Sequence, residues 1–212
     1  MQNRYSPVRV RAPPPNFIRV KVLGIAGSPR KEGVSAQLLK EALAAAHQEG
    51  AETEIVYLID YPIRPCLGCY SDDPADCDPR RCTHGELEDG MAGLHQKILW
   101  ADALIIATPT YWFGPSGLVK SFVDRLTSLE NVEKYLDGMP AGVIAACEED
   151  GAVWAAAQLA VALNWMGCLI PPYGLVYSQK GDPESFADAR RLGRNVAFLA
   201  RFRGSRDYWK AA

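Results

Sequence analysis

The chain has 212 residues, 48% of them hydrophobic and 23% charged, enough for one α/β domain with a substantial core but cramped for two. Its net charge of −2 leaves no overall basic footprint for nucleic acid, although Arg4, Arg9, Arg11 and Arg19 make the extreme N-terminus locally basic. No run is long enough for a membrane-spanning helix, and Arg residues with Pro13-Pro14-Pro15 stand where a signal peptide needs an apolar segment, so a cytoplasmic protein is expected.

Residues 1–16 are polar, proline-rich and aperiodic and read as an extended arm, leaving 17–212 as the folded domain. The stretch Ile18 to Leu39 then organises the rest. Val20, Val22 and Ile25 suit a buried strand, Gly27 to Gly33 form a loop able to approach a ligand closely, and Val34, Leu38, Leu39 and Ala42 recur at helical spacing. A helix beginning near Ser35 presents unpaired N–H groups and a positive dipole end to that loop. The hydroxyls of Ser28 and Ser35 and the Arg30 guanidinium add donors suited to a phosphate. Spacing excludes a Walker A loop, because five residues separate Gly27 from Gly33 and Val34 follows. It also excludes the G-x-G-x-x-G dinucleotide fingerprint, because Gly24 and Gly27 are three apart. A monophosphate is the remaining reading.

The first helix ends near Gly50, and Thr53 to Ile59 reads as a second strand stopped by Asp60-Tyr61-Pro62. A long loop carries Cys66, Cys69, Cys77 and Cys82 in the spacing C-x2-C-x7-C-x4-C, ahead of a helix whose buried stripe is Leu87, Met91, Leu94, Ile98 and Leu99. A cytosolic compartment argues against a disulfide framework. Four such thiols can form a tetrahedral thiolate site for an iron–sulfur cluster or zinc, or remain free; Asp72 is a conceivable substitute ligand. Cys147 and Cys168 read as packing residues.

Ala103 to Ala107 is a wholly apolar third strand, as at the centre of a parallel sheet covered on both faces. Thr108 to Gly114 forms the next loop, and Pro115 opens a helix with Leu118, Phe122, Leu126 and Leu129 on one side. Ala141 to Ala146 is strand four, Cys147-Glu148-Glu149-Asp150-Gly151 its exit loop, and an alanine-rich helix runs to Met166. Leu169 to Tyr177 supplies strand five, and Asp182 caps a last helix with Pro183 at its first position and Phe186, Ala189, Val196, Ala197 and Ala200 facing inward. Five strands alternating with helices predict an open parallel sheet with right-handed crossovers. Its ligand rim lies beyond the carboxyl ends of the strands, where the loops at 27–35, 108–114, 60–85 and 147–151 emerge together. The aromatics of 108–114 can border a planar ring there, or simply plug the loop.

Two stretches carry a family resemblance. Gly27, Ser28, Pro29, Arg30, Gly33 and Ser35 match the G-S-P-R-x-x-G-N-T/S loop of flavodoxin-like NAD(P)H-dependent FMN reductases, with Val34 in place of the Asn. Pro109 through Lys120 and Asp124-Arg125 match that family's second loop signature. The resemblance implies a flavodoxin-like three-layer sandwich with sheet order 2-1-3-4-5. It implies FMN held by Ser28, Arg30, Val34, Ser35 and Ala36 at the phosphate, and by Pro109, Thr110, Tyr111, Trp112, Phe113 and Gly114 at the ring. The loop with Cys147, Glu148 and Gly151 corresponds to the third flavin loop by position alone. Asp124 and Arg125 read as structural ion-pair formers. The family includes iron–sulfur flavoproteins, but their third Cys is Asp72 here.

The expected function is NAD(P)H oxidation with electrons passed to a quinone, a flavin, another acceptor or a [4Fe-4S] cluster. The flavin does the chemistry, so no catalytic acid or base is named, and the nicotinamide, lacking a motif of its own, stacks transiently on the flavin. A flavin-containing electron carrier acting with protein partners is the alternative, and a scaffold that has lost its cofactor is a third reading. The family's habit and the arm imply a homodimer or homotetramer, with no nucleic-acid or membrane partner.

Overall fold

The computed structural model describes residues 19–82 and 88–202. The arm at 1–16, Leu87 and the C-terminal tail therefore lie outside the described residues. The chain order is β1 (Lys21–Ala26), α1 (Val34–Gln48), β2 (Glu52–Tyr57), a short α2 (Cys69–Asp72), α3 (Met91–Trp100), β3 (Ala103–Tyr111), β4 (Gly114–Pro115), α4 (Gly117–Arg125), α5 (Thr127–Asn131), β5 (Ala141–Cys147), α6 (Ala152–Trp165), β6 (Leu175–Gln179) and α7 (Pro183–Arg201). Five strands are parallel in the order β2-β1-β3-β5-β6, and the two-residue β4 pairs antiparallel with β3. Without β4 this is the order 2-1-3-4-5 expected from the sequence.

The strands are apolar throughout because alternate side chains enter two cores. Leu23 and Ile25 of β1, Leu104 and Ile106 of β3, and Val143 and Ala145 of β5 pack with α3, α4 and α6. Val22 and Ala26, Ala103, Ile105 and Ala107, and Ile144 and Ala146 pack with α1 and α7 on the other face. The result is the three-layer sandwich. Helices α1 and α7 approach closely at Gly193, where a Cβ would run into the backbone carbonyl of Ala42. Among the described residues no helix is long and apolar enough to cross a membrane.

Several boundaries differ from the sequence reading. The third strand continues through Pro109 to Tyr111 and turns back at Trp112 and Phe113, both at positive φ (49° and 63°), so 108–114 is a tight hairpin rather than an open loop. Pro115 lies in β4, and Ser116 caps α4 through a bond from Val119 N–H to its Oγ. The second strand ends at Tyr57, and Leu58–Asp60 forms a 3-10 turn. The fifth parallel strand begins at Leu175, beyond Pro171 and Pro172, while Leu169 keeps only an isolated bridge to Pro140. Leu99 faces outward at 37% exposure, because the buried stripe of α3 runs through Met91, Leu94, His95 and Ile98.

Candidate functional site

The first loop and the hairpin are stitched together at their roots. Gly27 N–H donates to Ala107 O at 2.8 Å, and the buried Ser116 hydroxyl donates to Gly27 O at 2.7 Å. Ser116 N–H in turn donates to Thr108 Oγ1 at 2.9 Å. Gly27 has no room for a side chain, since a Cβ there would collide with Val119. Residues from β1, β3 and α4 therefore fix one corner of the rim at the sheet's switch point.

Within that corner the sequence-predicted phosphate residues lie together at the start of α1. Ser28 is buried, its Oγ accepting Arg30 N–H at 3.0 Å, and Ser35 and Ala36 are buried in the first helical turn. Arg30 is exposed. The N-cap, Gly33, offers no side chain, and no acidic residue stands in the first turn, so the positive helix end is not neutralised by the protein. The Val34 side chain packs beside Gly181 at the turn between β6 and α7, which leaves only its N–H as a contact for an anion.

The hairpin supplies the second wall. Thr110 Oγ1 is buried without a hydrogen-bond partner. Trp112 is 97% exposed and Tyr111 and Phe113 about half exposed, so the aromatics do not plug the loop. Phe113 packs against Gly151, where a Cβ would meet its ring at 2.7 Å, and Gln158 Nε2 donates to Phe113 O at 3.3 Å. Gly151 adopts φ of 90° and precedes α6, so the third loop is held against the hairpin tip. Glu148 is exposed. Cys147 points elsewhere: its Sγ lies 3.6 Å from Ser178 O, toward β6.

A free acceptor–donor on Thr110 and a helix terminus open to anions match the polar needs of a flavin phosphate with a heterocyclic ring edge. The residues present thus fit FMN.

The cysteine loop lies beside α4, tied to Arg125 at its C-terminal end. Cys66, Cys69, Cys77 and Cys82 line one small cavity with Leu67, Asp76, Arg81 and Arg125, and Asp72 is not part of its lining. Burial pushes the Cys77 thiol up to about 11, helped by the charges that Cys82, Cys66 and Cys69 would carry. Cys66 Sγ accepts Gly68 N–H at 3.4 Å, and Cys82 Sγ accepts Arg125 Nε–H at 3.1 Å. Among the described residues no group of three or more His, Cys, Asp or Glu side chains is arranged to hold a metal ion. The four thiols share a cavity without closing into a ligand set, and their donor chemistry fits a thiolate-bound metal.

Sequence reasoning marked Arg125 as an ion-pair former but passed over its hold on this loop, and passed over Asn131 and Asp78. Arg125, 2% exposed, pairs with Asp89 at 2.6 Å as an ion-pair former should, yet also donates to Cys82 O at 2.6 Å and Arg64 O at 3.1 Å. Asn131 Nδ2 donates to Pro74 O at 2.8 Å and Cys77 O at 3.1 Å. Asp78 is held down at about 2 by the Arg80 side chain and backbone N–H, which stiffens the turn before Cys82. By contrast, Asp124 forms an ordinary surface pair with Lys120 at 2.5 Å.

A parallel sheet of this order, with an anion-ready helix end facing an aromatic hairpin at the switch point, defines the flavodoxin-like class of flavin-binding proteins. Within it, the chain belongs to the NADPH-dependent FMN reductase family, whose sequence model matches residues 20–182. An iron–sulfur flavoprotein of Methanocaldococcus jannaschii is 37% identical over 107 residues, 50% of this chain and 51% of that protein. A Bacillus subtilis protein named for NAD(P)H-dependent, FMN-containing oxidoreductase function is 33% identical over 108 residues, covering 50% of this chain and 51% of its own. The chain thus spans about half the length of the sequence relatives it matches. Among solved structures, RosB with bound 8-demethyl-8-formylriboflavin-5'-phosphate superposes with a TM-score of 0.70 at 25% identity, covering 86% of this chain and 79% of RosB.

Proposed function

We propose that this chain is an FMN-dependent NAD(P)H oxidoreductase that passes electrons to a quinone, a flavin or another small acceptor. The observation that carries this reading is the uncapped, acid-free start of α1, on a loop whose root Ser116 ties to the hairpin that carries the partnerless Thr110 hydroxyl. In this reading Ser28, Arg30 and the first-turn N–H groups of Val34, Ser35 and Ala36 bind the phosphate. Backbone groups from Pro109 to Gly114 meet the ring edge, and Glu148 and Gly151 border its far side. When bound, FMN would supply the hydride-accepting chemistry; the protein positions it and keeps one ring face open to the nicotinamide. The cysteine loop, loaded with a [4Fe-4S] cluster or with zinc, would add a one-electron relay or a structural brace respectively.

A second reading, an electron carrier acting with protein partners, is favoured by the exposed Trp112, Trp154 and Trp165, which offer apolar contact surface. The same surface supports a homodimer or homotetramer, which light scattering would refute by finding a monomer at every accessible concentration. The deciding experiment is an anaerobic preparation titrated with FMN and then mixed with NADH or NADPH. Flavin bands that bleach with either nicotinamide are expected for the oxidoreductase. Bound flavin inert to both supports the carrier, and no flavin uptake overturns both.

A further inference from the structure

We propose that Arg125 is the positioning residue of the cysteine centre, and that its guanidinium fixes Cys82, rather than Asp72, as the partner of Cys66, Cys69 and Cys77. The inference rests on the reading of the four thiols as one metal-binding unit.

Three observations carry it. First, one guanidinium clips both ends of the loop. Nη1 donates to Arg64 O at 3.1 Å just before Cys66, and Nη2 donates to Cys82 O at 2.6 Å at the other end. A loop whose ends are already joined loses less entropy when a metal gathers its side chains. Second, the same group reaches the sulfur itself, with Nε 3.1 Å from Cys82 Sγ, a contact that holds this sulfur at the cavity both residues line. Asp72 ends the exposed α2 and does not line the cavity, although it follows Cys69 by three positions. Third, Arg125 is itself fixed. It is 2% exposed, its charge is met by Asp89 at 2.6 Å, and it closes α4, whose other end is tied to Gly27 through Ser116. An exposed arginine serving only as a surface cation would have none of these restraints. Lys could keep the ion pair but could not serve Arg64 O, Cys82 O and Cys82 Sγ from one planar fork.

The test uses the full chain with FMN bound, reduced, freed of metal and titrated with Co2+, because sulfur-to-cobalt charge-transfer absorption grows with the number of thiolate ligands. The wild type is expected to give a tetrahedral four-thiolate spectrum, Asp72→Asn to leave it unchanged, and Cys82→Ser to lower it to three thiolates. Arg125→Lys should bind Co2+ about tenfold or more weakly, with absorption reduced toward that of Cys82→Ser, while its FMN affinity stays at the wild-type value. Unaltered cobalt affinity and spectrum in Arg125→Lys overturn the inference alone. No thiolate–cobalt absorption in the wild type overturns the metal-binding unit and the inference with it. Should Arg125→Lys lose its FMN and fold, the decision passes to Asp72→Asn and Cys82→Ser: equal spectra in these two, or loss of a ligand in Asp72→Asn, overturn it.

Discussion

Arg30 is exposed on the loop after β1, so in the proposed site its contribution would be to the anion rather than to the fold. Arg30→Ala should leave thermal unfolding within about 0.5 kcal/mol of wild type. It should weaken FMN binding by about 1.5–3 kcal/mol, or one to two decades in Kd, as fluorescence titration would measure. His95 makes the opposite case, a residue tied to the fold. The Ser128 hydroxyl donates to Arg125 O at 2.9 Å, so at 3.2 Å it is the acceptor for His95 Nε2–H, and Nδ1 is buried without a partner. Burial, reinforced by the Arg125 charge, holds the imidazole pKa below its ordinary value. A lowered folded-state pKa means that unfolding takes up a proton as acid is added. The stability from neutral His95 is therefore complete above about pH 6.5 and is lost as pH falls through the lower folded value. His95→Gln should flatten that acid limb in urea unfolding followed from pH 7 to about pH 5; an unchanged slope would remove His95 from it. At this scale the gathering of Ser28, Ser35 and Ala36 at the start of α1 was legible because their spacing is local. Arg125 was legible as an ion-pair former but not as the clasp of the cysteine loop, because its partners Arg64, Cys82 and Asp89 are 36 or more positions away.

Elements tell a similar story about what local pattern can encode. The continuous apolar runs of β1, β3 and β5 declared a sheet buried on both faces, and Asp182-Pro183 marked the start of α7, where Ser185 N–H now donates to Asp182 Oδ1 at 2.8 Å. The hairpin escaped notice because tight two-residue turns with positive φ ordinarily announce themselves by Asn or Gly. Here Trp112 and Phe113 occupy both positions, held by the pairing of Tyr111 with Gly114 and of Thr110 with Pro115. At the α1–α7 contact two effects compete. Gly193→Ala removes a glycine from a helix interior, worth about 1 kcal/mol in propensity. The new methyl would meet the Ala42 carbonyl, a backbone obstacle that cannot swing aside, and overpacking costs about 1–3 kcal/mol or more. The clash should win, giving a net loss of about 1–2 kcal/mol in denaturant unfolding; a stabilised variant would mean that the two helices slide apart freely.

For the molecule as a whole, the three layers and the shared rim followed from element order and handedness, which leave few topologies open. What the order of elements does not carry is how the rim's loops are joined, and the Ser116 bridge is the main instance. Its hydroxyl holds Gly27 O while its N–H holds Thr108 Oγ1, so the loop after β1 and the hairpin share one rigid root before any cofactor arrives. The consequence is kinetic. Ordering that is completed during folding does not have to occur during encounter, so apo protein should capture FMN in a single phase whose rate rises linearly with FMN concentration. Ser116→Ala leaves the Gly27 carbonyl without its partner and the α4 terminus uncapped, at a cost of about 2 kcal/mol. In stopped-flow fluorescence that variant should develop a rate ceiling at high FMN, the mark of two walls that must first find each other.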